Sequence, residues 1–183
     1  MTSQWLYTAL ILLFGLERLA ELVVSKRNAA WSFARGGVET GRRHFPPMVV
    51  LHTGLLVGAL AEVWLADRSF LPALGWPMLV LLVASQALRW WCIGTLGRQW
   101  NTRVIVVPGL PLVRRGPYRL MSHPNYVAVV VEGVALPLVH SAWVTALVFT
   151  VANAFLLRVR LRSETQALQS LESDHPPAEV SGR

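Results

Sequence analysis

Six polar side chains stand inside otherwise apolar stretches of this chain: Glu17, Glu21, His52, Arg89, Glu132 and Asn153. A charge at hydrocarbon depth costs about 2.5–3.5 kcal/mol on insertion scales, so each ionisable one calls for a partner or a function. At a helical rise of about 1.5 Å per residue, all six fall toward one end of their stretches, and Glu62 and His140 fall toward the other. Such a polar layer serves either as interhelical ion pairs, for instance Glu17 or Glu21 with Arg89, or as the floor of a cavity open to one side. Glu17 and Glu21 lie four apart on one helix face, and with His52 they have the elements of a metal site. Two carboxylates beside a basic border are more often charge balance, and no metal is expected.

A second concentration of chemistry runs from 97 to 125. Connections in compact domains are typically about 4–6 residues, and a much longer one is usually functional or disordered. Disorder is argued against by Trp100, by the β-branched run at 104–107 and by turn residues at Pro108, Gly109, Pro111, Gly116 and Pro117. With Arg98, Arg103, Arg114, Arg115 and Arg119 the segment reads as an ordered, cation-rich cap. Phosphate-cradling glycine patterns are absent from it. Further on, Arg160 and Glu164 are spaced to form an i,i+4 pair on a helix.

The elements that must position these groups are membrane helices. The chain has 183 residues, 54% hydrophobic and 15% charged, with a mean hydropathy of +0.45. Soluble domains carry roughly 25% charged residues. A soluble enzyme, a chain that is a disordered tail throughout and a disulfide scaffold are therefore excluded, the last also because Cys92 is the sole cysteine. The net charge of +7 does not imply a nucleic-acid partner, because the basic residues fall between apolar runs instead of gathering on one wetted face.

Apolar stretches at 5–24, 48–66 and 77–96 each have the length of one crossing of about 30 Å. The stretch 127–157 is broken by Pro137, His140 and Ser141 and reads as a hairpin of two short or tilted helices. The expected fold is all-α, with about five transmembrane helices in the cell membrane and a cytoplasmic cap. Basic residues between the spans put the amino terminus outside and the carboxy terminus inside. Residues 1–96 hold three helices and a basic loop, 97–169 the cap, hairpin and last helix, and 170–183 a polar tail expected to be disordered.

The run LPLVRRGPYRLMSHPNYV (110–127), followed by a hairpin and RLRSE (160–164), resembles the isoprenylcysteine carboxyl methyltransferase family. These are integral-membrane enzymes that use S-adenosylmethionine. The resemblance covers roughly 97–168, and it implies that Leu110, Pro111, Leu112, Val113, Tyr118, His123, Pro124, Asn125, Tyr126 and Glu164 hold the cofactor. It likewise implies that Arg160 contacts the acceptor. Departures occur at Ser122 before the His-Pro pair, at Ala128 and at Ser163, with Arg119 one turn earlier as a substitute charge.

The chemistry fits the residue types. A carboxylate offsets a sulfonium, tyrosines offer stacking faces with polar tips, and an arginine orients an anionic oxygen by a bidentate contact. A lipid carboxylate needs no base, whereas a phenol with a pKa near 10 does. Glu132 is the candidate base and His52 the second. The run G-P-Y, H-P-N-Y and a membrane glutamate is most similar to bacterial members acting beside type III polyketide synthases, which implies O-methylation of alkylpyrones or alkylresorcinols. The acceptor is expected to be lipophilic and to arrive from the bilayer among membrane lipids. The rival readings are a phospholipid N-methyltransferase and a non-catalytic carrier or subunit.

Overall fold

The computed structural model describes residues 1–41, 45–111 and 113–174, with side chains described as far as Ser163. It contains five α-helices: α1 (Thr2–Phe33), α2 (Phe45–Leu65), α3 (Pro72–Leu96), α4 (Pro124–Leu138) and α5 (Trp143–Asp174). Three stretches, Phe45–Leu65, Pro72–Gln99 and Trp143–Ser163, are long and apolar enough to cross a membrane. α1 is long but carries Glu17, Arg18, Glu21, Lys26 and Arg27. α4 has 15 residues, about 22 Å at 1.5 Å per residue, short of the hydrocarbon core. Large apolar side chains such as Leu12, Leu16, Val50, Val57, Leu147 and Val151 are exposed. A chain turned outward in this way is suited to hydrocarbon surroundings.

The hairpin expected around His140 is present, but its two arms are unequal. Pro137 lies one residue from the end of α4, Ser141 takes a left-handed φ of 58°, and the Ala142 amide donates to the Pro137 carbonyl at 2.9 Å. The second arm is not short: α5 runs 32 residues, through Arg158, Arg160 and Arg162, to Asp174. Residues 170–174 of the segment expected to be disordered lie in α5, and 175–183 lie outside the described residues.

One stripe of α1 records its environment along the helix axis. Gln4, Tyr7, Ile11, Phe14, Arg18, Glu21, Ser25, Asn28 and Ser32 recur at alternating spacings of three and four, which keeps them on one face. Tyr7, Ile11 and Phe14 join the apolar core with Leu55, Ala59 and Val63 of α2, Leu82 of α3, Leu136 of α4 and Phe149 of α5. Arg18 and Glu21 enter a cluster of charges. Ser25 and Asn28 leave the core and bind the segment after α3.

Two contacts hold α5 against its neighbours. A Cβ at Gly133 of α4 would overlap the Phe149 ring, so only glycine allows that approach. The start of α5 has amides without intrahelical acceptors, and Glu62 of α2 accepts from Val144 N at 3.1 Å and Thr145 N at 2.8 Å. The same carboxylate receives Arg68 Nε at 3.1 Å. That ion pair accounts for the one acid near the far end of α2.

Among the described residues the strands are β1 (Val38–Thr40) and β2 (Val104–Val106), which pair antiparallel with Glu39 opposite Ile105. The ribbon joins the connection between α1 and α2 to the long segment after α3. It is the small exception to an all-α architecture, and its β-branched residues suit a pleated, half-buried surface.

Candidate active site

The long segment between α3 and α4 folds over the ends of α1, α3 and α5. Asn28 Nδ2 donates to the carbonyls of Gly97 (3.2 Å) and Trp100 (2.7 Å), and Ser25 Oγ lies 2.6 Å from Asn101 Oδ1 and 2.7 Å from Thr102 Oγ1. Gly116, at φ +55°, presses against Thr95 and the Trp91 indole, a place with no room for a Cβ. It leads into a short 3-10 turn over Gly116–Arg119 that lays Tyr118 within hydrogen-bond reach of the buried Cys92 of α3. Pro124, fully buried, opens α4 and sets Asn125 and Tyr126 in its first turn.

These pieces enclose a cavity of about 690 Å³ whose wall includes Leu110, Pro111, Val113, Tyr118, His123, Asn125, Tyr126 and Arg160. The structure thus brings most of the expected site residues to one place. Pro124 lies buried beneath the wall, and Leu112 lies outside the described residues. Glu164 is on α5 one helical turn past Arg160, on the same helix face, and its side chain is outside the described residues. His123 and Tyr126 stack with ring centroids 5.3 Å apart at 14°.

Arg160 ties the two halves of the site together. Its Nε donates to Tyr126 Oη at 2.9 Å, Nη2 to the Thr102 carbonyl at 2.8 Å and Nη1 to Met48 Sδ at 2.7 Å. α5, α4, α2 and the segment before β2 therefore meet at one guanidinium. Arg103, Arg114 and Arg119 also line the cavity, and among the described residues no carboxylate does. Further wall residues were not among the expected site residues: Ser32 of α1, Gln99 and Asn101, and also Trp100 and the β2 strand, which were read only as parts of an ordered cap. The last polar positions of the α1 stripe were the one available signal for a cap docked there.

The polar layer among the helices is a separate structure. Glu132 of α4 receives Arg89 Nη2 of α3 at 2.6 Å and Arg18 Nη2 of α1 at 3.2 Å. Arg18 Nη1 lies 2.5 Å from Glu21 Oε2, Arg89 Nη1 lies 3.7 Å from Glu21 Oε1, and Gln86 Nε2 donates to Glu17. The expected pairing of Glu21 with Arg89 is present. Glu132 is 3% exposed and does not line the cavity. The structure therefore does not bring the expected base to the other expected site residues: Glu132 is held by two guanidiniums in the helix layer. His52 does not line the cavity either; its Nδ1 lies 2.9 Å from the Met48 carbonyl, and its ring is edge-on to Phe149. The described residues hold no group of three or more His, Cys, Asp or Glu arranged to bind a metal ion.

Sequence comparison converges on the same part of the chain. The model of the isoprenylcysteine carboxyl methyltransferase family matches residues 78–170, the stretch that supplies most of α3, the cap, α4 and α5. The uncharacterized protein YpbQ of Bacillus subtilis is 37% identical over 166 residues, covering 90% of this chain and 96% of its own. An uncharacterized protein of Haemophilus influenzae is 26% identical over 157 residues, covering 84% and 90%. With half of its length matched and that half forming the cavity, this chain belongs to the isoprenylcysteine carboxyl methyltransferase family, a membership that points to a membrane methyltransferase using S-adenosylmethionine.

Proposed function

We propose that the protein transfers a methyl group from S-adenosylmethionine to an oxygen of a lipophilic acceptor drawn from the bilayer. The observation that carries this reading is the cavity itself, where Arg160 of α5 closes onto Tyr126 of α4 beside Tyr118, His123 and Asn125. Its volume of about 690 Å³ is in the range of pockets that bury a ligand of cofactor size. Trp100 Nε1, Asn101 Nδ2 and Asn125 Oδ1, all on wall residues, are buried without a partner among the described residues. Buried polar atoms are rarely left so, and a polar ligand or water at the wall would satisfy them.

The residues fit the cofactor. When bound, it supplies a methyl group on a sulfonium, activated for displacement. Tyr118, His123 and Tyr126 offer aromatic surface to a flat heterocycle and to a cation. Glu164, the acid that the resemblance assigns to the cofactor, would offset positive charge, which the four guanidiniums of the wall cannot do. The cap excludes water and holds the acceptor oxygen in line with the donor, the main contribution a protein makes to such a displacement.

The same guanidiniums favour an oxygen anion as nucleophile. A carboxylate is already ionised at neutral pH, and nearby cations lower the pKa of a phenol or enol toward ionisation, so no dedicated base is required of Glu132. A protonated amine would be repelled, which disfavours the phospholipid N-methyltransferase reading. Within the family, the resemblance of 110–127 to bacterial members beside type III polyketide synthases makes alkylpyrones and alkylresorcinols the acceptors of choice. The arginine-rich end, by the positive-inside rule, faces the cytoplasm in a five-span topology with the amino terminus outside.

Calorimetric titration of the purified protein with S-adenosylhomocysteine tests the cofactor; saturable binding is expected, and none would leave the non-catalytic carrier. Membranes given radiolabelled donor and lipid extract test the acceptor. Base-labile label indicates an ester, and base-stable label an ether or an amine.

A further inference from the structure

Two recesses meet at a pair of arginines. Beside the main cavity lies a small second recess bounded by Glu39, Gly41, Phe45 and Thr102. The residues common to both walls are Arg103, Val104 and Arg160. Phe45 is the first residue of α2, one of the membrane-length helices, so this recess lies where that span meets the cap. A lipid with its tail beside α2 would bring its head group there first.

The two arginines differ in what they have left to give. All three guanidinium nitrogens of Arg160 are engaged, by Tyr126, Met48 and Thr102. It is built in as a strut. The Arg103 guanidinium borders both recesses. It lies 3.6 Å from Glu39 Oε2 with its side chain 40% exposed, and its central carbon is 4.9 Å from the Phe45 ring centroid. The Glu39 side chain is itself only 3% exposed, so the carboxylate is fixed, while the half-exposed guanidinium has donors beyond the nitrogen nearest Glu39 for a carboxylate or phenolate.

We infer that Arg103, and not Arg160, takes the anionic oxygen of the acceptor as its head group passes from the recess at the foot of α2 into the main cavity. Arg160 is then a positioning residue that holds Tyr126 and the Thr102 carbonyl in place. This inference rests on the methyl-transfer reading and deepens it.

The test compares one lipid in two charge states. Full-length protein in nanodiscs, with S-adenosylhomocysteine present, is titrated with a long-chain alkylresorcylic acid as the free acid and as its methyl ester. Wild type is expected to prefer the acid by about tenfold, the worth of a charge-assisted hydrogen bond. Arg103→Gln is expected to abolish that preference, and Arg103→Lys to restore part of it. Glu39→Gln is expected to strengthen binding of the acid. A preference that persists in Arg103→Gln, or is missing in wild type, overturns the inference and leaves cofactor binding standing. A wild-type protein that binds no S-adenosylhomocysteine overturns the methyl-donor reading beneath it.

Discussion

Arginine is put to opposite uses at two levels of this molecule. In the helix layer, Arg18 and Arg89 are enclosed by Glu17, Glu21 and Glu132 from two helices, and the polar groups bridge α1 to α3 and α4. At the cap, Arg103, Arg114, Arg119 and Arg160 surround open space with no described carboxylate on the wall. Charges in low dielectric survive only when compensated, so the inner set is matched by the protein itself. The outer set borders solvent and can wait for a ligand. Balanced charge marks architecture here, and an excess of positive charge, with Arg103 alone of the four paired to a carboxylate among the described residues, marks the candidate site.

The comparison breaks most visibly at Arg89. Replacing it by alanine leaves Glu132 and Glu21 under-compensated, with an expected loss of about 3–5 kcal/mol in unfolding free energy; the Arg89→Met, Glu132→Leu pair should recover most of that in a detergent unfolding series. A neutral Arg89→Ala would mean that the layer is hydrated and its charges are not architectural. Glu132→Gln sharpens the same point with a smaller effect. It should cost about 1–3 kcal/mol of stability and leave the pH dependence of methyl transfer unchanged, whereas a rate restored at high pH would return Glu132 to the chemistry.

On the cap side, Glu164→Gln should weaken S-adenosylhomocysteine binding about tenfold with no change in the unfolding transition. Equal loss of both would make Glu164 a structural residue. The smallest effect belongs to the end remote from the cap. Burial holds the His140 imidazole below its ordinary range in the turn between α4 and α5. The unfolded chain therefore takes up that proton more readily, and stability present above about pH 6.5 declines as pH falls through it. Thermal unfolding followed across that range should show a drop that His140→Phe diminishes, and an identical pH trend in both proteins would remove His140 as the cause.

Much of this arrangement was legible in the chain. Apolar runs of about 20 residues announce helices because hydrocarbon forces every backbone group to find its partner internally. The break at Pro137 and Ser141 announced the hairpin, for the same reason. The expected wall residues from Leu110 to Tyr126, together with Arg160, were readable as one constellation through the resemblance of 110–127 and 160–164 to a known family. Ser25, Asn28 and Ser32 were not, because a serine or asparagine after an apolar span looks like any helix end; their use depends on what docks against them. The strand pairing of Val38–Thr40 with Val104–Val106 was equally hidden, since three residues are too few for a period to emerge.

The one-dimensional chain determined the membrane setting, the number of helices, the hairpin and the family, all of which follow from composition, local periodicity and short motifs. Only the tertiary structure decided what each charge is for. Glu132 and Arg160 both looked catalytic along the chain. In three dimensions one is clamped between two guanidiniums and the other is spent on three internal acceptors. A side chain's role is set by which partners reach it first, and those partners come from helices distant in sequence.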